Sequence, residues 1–301
     1  MLDTRPIEDS SFGIEVVNLD VSENLPAETI AELVRELHEH RVVILKNQRV
    51  DKQGYLSFAR RLGRPDIHAL TYARLPDYPE IEPIGNVNNK DRETSIRNGA
   101  AYWHTEHAYE ANPVNTLLFY AQRVPQVGGE TWLADMRTAY EDLDEEMKRR
   151  IDGLIVKHDF CAARRNRDGS EFKNSAINAA RDAGRLPPVR HYLSPPHPAT
   201  GRKSLYAVTG FTYGIEGMED TEANALLAEL EAHALNPKYL YARKHVVGDI
   251  LVLDTLQTLH RGTELDFTTG PHDARLLWNI ALKGAPESCV GNWRPCEPEP
   301  V

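Results

Sequence analysis

The spacing of apolar residues changes character along the chain. Over residues 26–40, Ile30, Leu33, Val34 and Leu37 fall three and four apart, the signature of a helix with one buried face. Pro26 suits the first position of that helix, where its missing N–H costs nothing. A strand-like opening at residues 13–17 precedes it, and Val42-Val43-Ile44-Leu45 follows as a short continuous apolar run, the pattern of a buried strand. Residues 55–62 predict a second short helix, stopped by Gly63-Arg64-Pro65. Periodicity then fails over residues 68–102, apart from a short strand near residues 81–84. A stretch of that length, rich in Pro, Asn, Gly and charge, reads equally as an active-site lid or binding loop and as a poorly ordered insertion. Strand patterns return at residues 117–120 and 131–133, and residues 136–151 predict one amphipathic helix capped by Asp135. Further strands are expected at residues 204–209, 239–245, 249–254 and 276–282, around a helix of leucines and alanines at 221–235. Helices lie early and strands late, without βαβ alternation. The expected class is therefore mainly β with flanking helices (α+β), a sandwich or barrel in one domain spanning residues 1–301.

Composition narrows the partners. Lys and Arg number 35 against 45 Asp and Glu, a formal net charge of −10, which disfavours nucleic acid or an anionic membrane as the main partner. No apolar run approaches the ~20 residues of a membrane span. The first residues show no apolar stretch behind a basic one, so no signal peptide is expected. Three cysteines, Cys161, Cys289 and Cys296, lack metal-binding spacing and fit reduced thiols, so a cytoplasmic location is expected.

The candidate chemistry concentrates in Trp103-His104-Thr105-Glu106-His107. On an extended segment His104 and Glu106 point to the same side. Together they supply two of the three ligands of a 2-His-1-carboxylate facial triad, which leaves positions on iron(II) open. The third ligand must come from a distant histidine, and His260, after an apolar strand and a turn, is the best placed. Read alone, the His-x-Glu pair is a weak signal and fits a surface histidine hydrogen-bonded to a neighbouring Glu better than a metal site. On the same extended segment His107 points away from both residues. His38 and His40 are also two apart but sit on a helix, where such side chains diverge, so both are expected at the surface.

A wider pattern involves Gly128-Gly129-Glu130-Thr131, the distal His260 and the following Arg275. With His104-x-Glu106 it resembles the taurine/2,4-dichlorophenoxyacetate dioxygenase family (TauD/TfdA-like) of iron(II)- and 2-oxoglutarate-dependent oxygenases. Residues 13–67, 134–140, His158-Asp159-Phe160 and Gly210-Phe211-Thr212 have counterparts there as well, so the likeness extends over residues 13–284. The resemblance implies a double-stranded β-helix (jelly roll) core. It also implies iron held by His104, Glu106 and His260, with the distal carboxylate of 2-oxoglutarate held by Thr131 and Arg275. Those residue types suit the task, since an Arg fork matches a carboxylate and a hydroxyl adds a donor. The implied activity couples O2 and 2-oxoglutarate, with release of succinate and CO2, to oxidation of a C–H bond. The simplest outcome is hydroxylation, with desaturation or epoxidation as variants.

Three departures from the family pattern stand out. Glu106 replaces the usual Asp, and by retaining a carboxylate it argues against halogenation. Asp254-Thr255-Leu256 replaces Asp-Asn-Arg, removing an Arg that props the turn before the distal His. Asn279, four residues beyond Arg275, stands where taurine and aryloxyacetate enzymes carry an Arg, so the anchor for an anionic substrate is missing. A neutral or amphipathic small molecule is therefore expected, from specialised metabolism or from catabolism with another anchor. Phe160, Phe211, His68, Tyr72 and Asn98 are the weaker candidates for substrate contact. Arg164, Arg165 and Arg167 read as a solvated loop cluster. The family's habit makes a dimer or tetramer possible. The rival readings are a non-catalytic metal- or ligand-binding jelly roll, which has no need of both Thr131 and Arg275, and a metal hydrolase, for which no general base is placed.

Overall fold

The computed structural model describes residues 1–68, 73–87, 98, 100–159, 187–209 and 211–284. Tyr72, Phe160, Arg164, Arg165, Arg167 and the three cysteines lie outside the described residues.

Helix α1 (Ala27–His40) buries Ile30, Leu33, Val34 and Leu37, as their spacing requires. Pro26 stands just before it as the N-cap, and Arg41, in the left-handed region at φ 68°, ends it by donating its N–H to the Leu37 carbonyl. The chain turns there into β3 (Val42–Leu45), whose four residues are all buried. β3 pairs in parallel with β2 (Ile14–Val16), which pairs with β1 (Thr4–Pro6). On its other side β3 meets β12 (Ile250–Asp254), with Val43 opposite Val252. The sheet continues through β6 (Thr116–Arg123) to β14 (Leu276–Lys283), which also carries β4 (Arg64–Pro65) and β5 (Glu82–Gly85).

Both faces of this sheet are covered, which explains the continuous apolar runs. Val43, Leu45, Leu118, Tyr120, Val252 and Leu282 pack under α1 and α2 (Lys52–Leu62). The alternate residues Val42, Ile44, Leu117, Phe119, Leu251 and Leu277 face inward onto Leu133. Leu133 belongs to β7 (Thr131–Asp135), the centre of a second sheet in which β7 lies between β11 (Leu240–Arg243) and β13 (Thr258–Gly262). This is the mainly β sandwich that the pattern predicts. A third sheet, β8 (Ile155–His158) between β9 (Val189–Tyr192) and β10 (Thr212–Ile215), packs with α3 (Met136–Glu141), α4 (Glu145–Ile151) and α5 (Asp220–Ala234) around a separate core. No helix among the described residues is long and apolar enough to cross a membrane.

The structure corrects several expectations. Residues 136–151 form two helices, because Asp142 turns to accept from Lys238 Nζ and Tyr239 OH while Asp144 caps α4 by accepting from the Met147 N–H. Helix α2 begins before residue 55: Asp51 caps it through the Gly54 N–H, and its polar first turn carries no apolar signal. Residues 204–209 are buried but form no strand, since they make isolated bonds such as Leu205 N–H to the Met136 carbonyl, and Ala207 turns at φ 48°. The strands of the third sheet escape a pattern reading because His158, Arg190 and His191 interrupt their apolar alternation.

One close approach ties β5 to the site described below. A Cβ on Gly85 would stand 1.9 Å from the Arg275 carbonyl oxygen, so only glycine allows β5 to lie there. Gly85→Ala is expected to cost about 1–3 kcal/mol or more, as overpacking does, and to displace Arg275. Chemical denaturation would show it as a clear drop in midpoint, whereas an unchanged midpoint would contradict this packing.

Candidate metal centre

His104 and His260 are brought together by the backbone itself. The two residues exchange both main-chain hydrogen bonds, His104 N–H to the His260 carbonyl at 3.0 Å and the reverse at 2.8 Å. Such a pairing sets side chains next to each other, and the imidazole centroids lie 4.2 Å apart. Both rings are buried. After His104 the chain leaves the extended path and turns, with His107 at φ 53°. That turn carries Glu106 back over the pair: its Oε2 lies 3.6 Å from His260 Nε2 and 3.9 Å from His104 Nε2. The three side chains offer one ligand atom each within 4.8 Å of one another, a spacing suited to a single ion.

The protonation pattern favours a cation at this point. His104 Nδ1 lies 2.8 Å from the Tyr102 carbonyl, which can only accept, so Nδ1 carries the proton and the Nε2 lone pair faces Glu106. Burial, helped by His260, lowers the His104 pKa to about 4. Burial works to raise Glu106, but the bond from His260 and the neighbouring His107 and His104 outweigh it and hold the carboxylate below its usual range. The site therefore pairs neutral imidazole with ionised carboxylate, the forms that bind a metal.

His107 departs from expectation. Because the segment turns rather than extends, its Nε2 comes within 3.3 Å of Glu106 Oε1, and its Nδ1 lies 3.1 Å from Asp66 Oδ2. The two oxygens of Glu106 thus face different partners. Burial opposes protonation of His107, yet Asp66, Glu106 and Glu110 raise its pKa to about 9. A non-glycine residue held at positive φ beside a candidate ligand carboxylate is the kind of local strain that functional sites retain. Nothing in the spacing of the sequence signals this contact.

Thr131 and Arg275 open onto the same space. A pocket of about 460 Å³, its mouth included, is lined by His104, Glu106, His260, Thr131 and Arg275 over an apolar floor of Ile84, Phe119 and Leu277. Arg275 is 3% exposed. Its backbone N–H is fixed by Asn86 Oδ1, its Nη1 makes one long bond of 3.4 Å to the Gly129 carbonyl, and its Nε has no partner. Gly128 and Gly129 provide that carbonyl through consecutive positive φ angles, 74° and 79°. A Cβ on Gly129 would come within 2.6 Å of Pro125. Burial lowers the guanidinium pKa only to about 10, so at neutral pH it stays charged. A buried guanidinium so thinly satisfied fits an incoming carboxylate.

The remaining candidates spread out around this centre. Asn279 sits on β14 opposite Phe119 and Glu82, on the face shared with Leu277, and bonds the Glu82 carboxyl. Burial, with Glu106 nearby, raises that carboxyl to about 8. His68 packs edge-on to His107 at 5.3 Å. Asn98 lines the pocket, and its amide is bonded at both ends to the Leu265 backbone. Phe211 packs edge-on against Tyr102 and Tyr109, and Tyr102 lies against the His104 ring.

The turn before His260 is held without the missing arginine. Asp254 Oδ2 lies 2.8 Å from His38 Nδ1, 3.0 Å from His197 Nε2 and 2.9 Å from Gln257 Nε2, while Oδ1 accepts from the Leu256 N–H. His38 is therefore buried, not at the surface as expected, and its neighbour His40 is half-exposed. The spacing of His38, His197 and Asp254 would also admit a metal. However, His197 Nδ1 accepts from the N–H groups of Ala199 and Thr200, so Nε2 carries the proton and faces Asp254 Oδ2. A ring engaged in this way has no lone pair to give an ion.

Three buried histidines outside the centre dictate an acid response. Burial, with His191 adjacent, holds His158 well below its usual value; burial lowers His191 to about 4, and burial with Arg243 and Arg275 lowers His245 to about 3. Unfolded histidine titrates near 6.5, so between about 6.5 and 4 the unfolded chain binds more protons than the native one. Stability should fall as the pH drops through that interval, by up to about 1.4 kcal/mol per unit for each ring. His107, with its raised pKa, acts oppositely, but between about 6.5 and 9. Urea unfolding of the metal-free protein at pH 7 and pH 5 should show a much lower midpoint at pH 5; equal midpoints would refute this.

Comparison with known proteins places the chain among others of known family and fold. The family model described as "Taurine catabolism dioxygenase TauD, TfdA family" matches residues 3–281. An alpha-ketoglutarate-dependent 2,4-dichlorophenoxyacetate dioxygenase of Burkholderia sp. (strain RASC) is 30% identical over 269 residues, 85% of this chain and 88% of that protein. A pentalenolactone F synthase of Streptomyces arenae is 27% identical over 301 residues, covering 97% of this chain and 98% of that one. In fold, the chain is similar to the crystal structure of AAD-2 in complex with Mn(II) and N-oxalylglycine, with a TM-score of 0.76 at 22% identity, covering 98% of this chain and 99% of that one.

Proposed function

Because this chain belongs to the TauD/TfdA family of 2-oxoglutarate-dependent dioxygenases, we propose that His104, Glu106 and His260 hold iron(II) and that Thr131 and Arg275 take the distal carboxylate of 2-oxoglutarate. The observation that carries this reading is a single pocket holding both three convergent ligand atoms and a buried, thinly satisfied guanidinium. When bound, iron(II) and 2-oxoglutarate activate O2 and yield succinate and CO2 as a C–H bond of a small organic molecule is oxidised, most simply by hydroxylation. The protein's share is placement. The paired backbone bonds between His104 and His260 fix the two imidazoles, and Tyr102 sets the tautomer of one of them. His107 steadies the outer oxygen of Glu106, and the apolar floor keeps water from the space between.

The substrate side favours a molecule without an anionic anchor. Where the family resemblance implies an arginine, Asn279 is paired with Glu82, and Lys283, four residues further on, is occupied by Asp66 and Glu110. No free guanidinium or ammonium among the described residues stands ready there for a sulfonate or carboxylate. We therefore expect a neutral or donor-bearing substrate. The names of its relatives, one for 2,4-dichlorophenoxyacetate and one for pentalenolactone F, are compatible with either catabolism or specialised metabolism. With taurine or 2,4-dichlorophenoxyacetate, succinate release should stay at the level seen without substrate; efficient turnover of either would overturn this assignment.

The cofactor reading is tested on anaerobic apoprotein. Adding iron(II) and 2-oxoglutarate should produce the weak visible charge-transfer band of the complex, and both His260→Ala and Arg275→Ala should lose it. Iron binding with no band at any 2-oxoglutarate concentration would point instead to a metal-binding protein.

A further inference from the structure

Beside the pocket, one polar side chain has no role in the scheme above. His245 lies just past β11, buried, with Nε2 2.8 Å from the Thr131 hydroxyl oxygen. Arg243, two residues earlier, is tied to Asp249. We propose that His245 is a positioning residue for 2-oxoglutarate: its Nε2–H donates to Thr131 Oγ1 and turns the threonine proton toward the distal carboxylate beside Arg275. This inference rests on the proposed placement of that carboxylate.

The argument is one of proton count. A hydroxyl has one proton to give and can accept as well. If Thr131 donated to His245, only lone pairs would face the pocket, and these repel an anion. If His245 donates instead, the Thr131 proton is free for the carboxylate, and the two bonds polarise each other in a dry site. The imidazole is kept neutral by burial and by Arg243 and Arg275, so it carries a single N–H and the choice lies between tautomers. Neutrality also spares the pocket wall a third cation next to the two arginines. An oxo acid lacking the distal carboxylate makes no use of this chain of bonds.

The test compares anaerobic binding of 2-oxoglutarate and of 2-oxobutanoate, which lacks the distal carboxylate, to the iron(II) protein by calorimetry and by the visible band. His245→Phe keeps a ring of similar size without the N–H, and His245→Gln restores an amide donor. Losing the bond between the neutral imidazole and the Thr131 hydroxyl should weaken 2-oxoglutarate about threefold to tenfold in His245→Phe. Binding of 2-oxobutanoate should not change, and Gln should recover most of the loss. Equal weakening of both acids in His245→Phe, or wild-type affinity for 2-oxoglutarate, would overturn the positioning role. Arg275→Ala separates the two levels. If it loses 2-oxoglutarate selectively while His245→Phe does not, only the positioning role falls. If Arg275→Ala shows no selectivity either, the carboxylate lies elsewhere and both readings fall.

Discussion

Glu106→Ala is expected to abolish turnover and to lower iron(II) affinity by a hundredfold or more, a larger loss than the ~10–100-fold typical of residues that only support a metal ligand. Glu106 is the one charged member of the proposed triad, and its Oε2 faces both imidazoles. Without it, two neutral rings remain against a dipositive ion in a buried site, where an uncompensated charge is costly. The substitution also strips His107 of one of the anions that raise its pKa, so that pKa should fall. Glu106→Asp keeps the charge but shortens the side chain by one methylene, and should retain part of the iron and part of the activity. Both variants can be reconstituted anaerobically and their iron counted after desalting. Stoichiometric, tightly held iron in Glu106→Ala would refute the triad.

The parts of this molecule that could be read from sequence are those where one local rule decides. The doubly covered sheet leaves continuous apolar runs at β3 and β12, and α1 shows its buried stripe, so these elements stand out. His104 and Glu106 could be paired from spacing, but for a partly mistaken reason: the segment is extended only at His104, and a turn brings Glu106 back. The same turn hides His107. His245 and His38 were not legible as site residues, because each acts through a partner more than a hundred residues away in sequence. The missing arginine at the Asp254 turn could be seen in the sequence. Its replacement by His38, His197 and Gln257, drawn from separate elements, could not. Where function depends on tertiary pairing of polar groups, periodicity carries no signal.

That replacement makes the second large prediction. Asp254→Asn removes a fully buried carboxylate that faces His38, His197, Gln257 and the Leu256 N–H. Asparagine keeps the shape but turns an N–H2 group toward donors, leaving buried protons without acceptors. Breaking one side of a buried charged network costs about 3–5 kcal/mol, or on the order of 10 °C in Tm for a chain of this size. Burial acts to raise the Asp254 pKa, but His197 and His38 outweigh it and hold it below the usual carboxylate value. A carboxylate so depressed stabilises the fold above the pKa of its unfolded form, near 4, and that contribution is lost as the pH falls below it. Wild type and Asp254→Asn should therefore differ widely at pH 7, and the difference should begin to shrink only below about pH 4. The turn also leads into His260, only six residues on, so the variant should bind iron(II) about tenfold more weakly even where it remains folded. Loss of stability with unchanged iron affinity would confine Asp254 to the fold. A Tm within two or three degrees of wild type at pH 7 would show that this network does not replace the arginine.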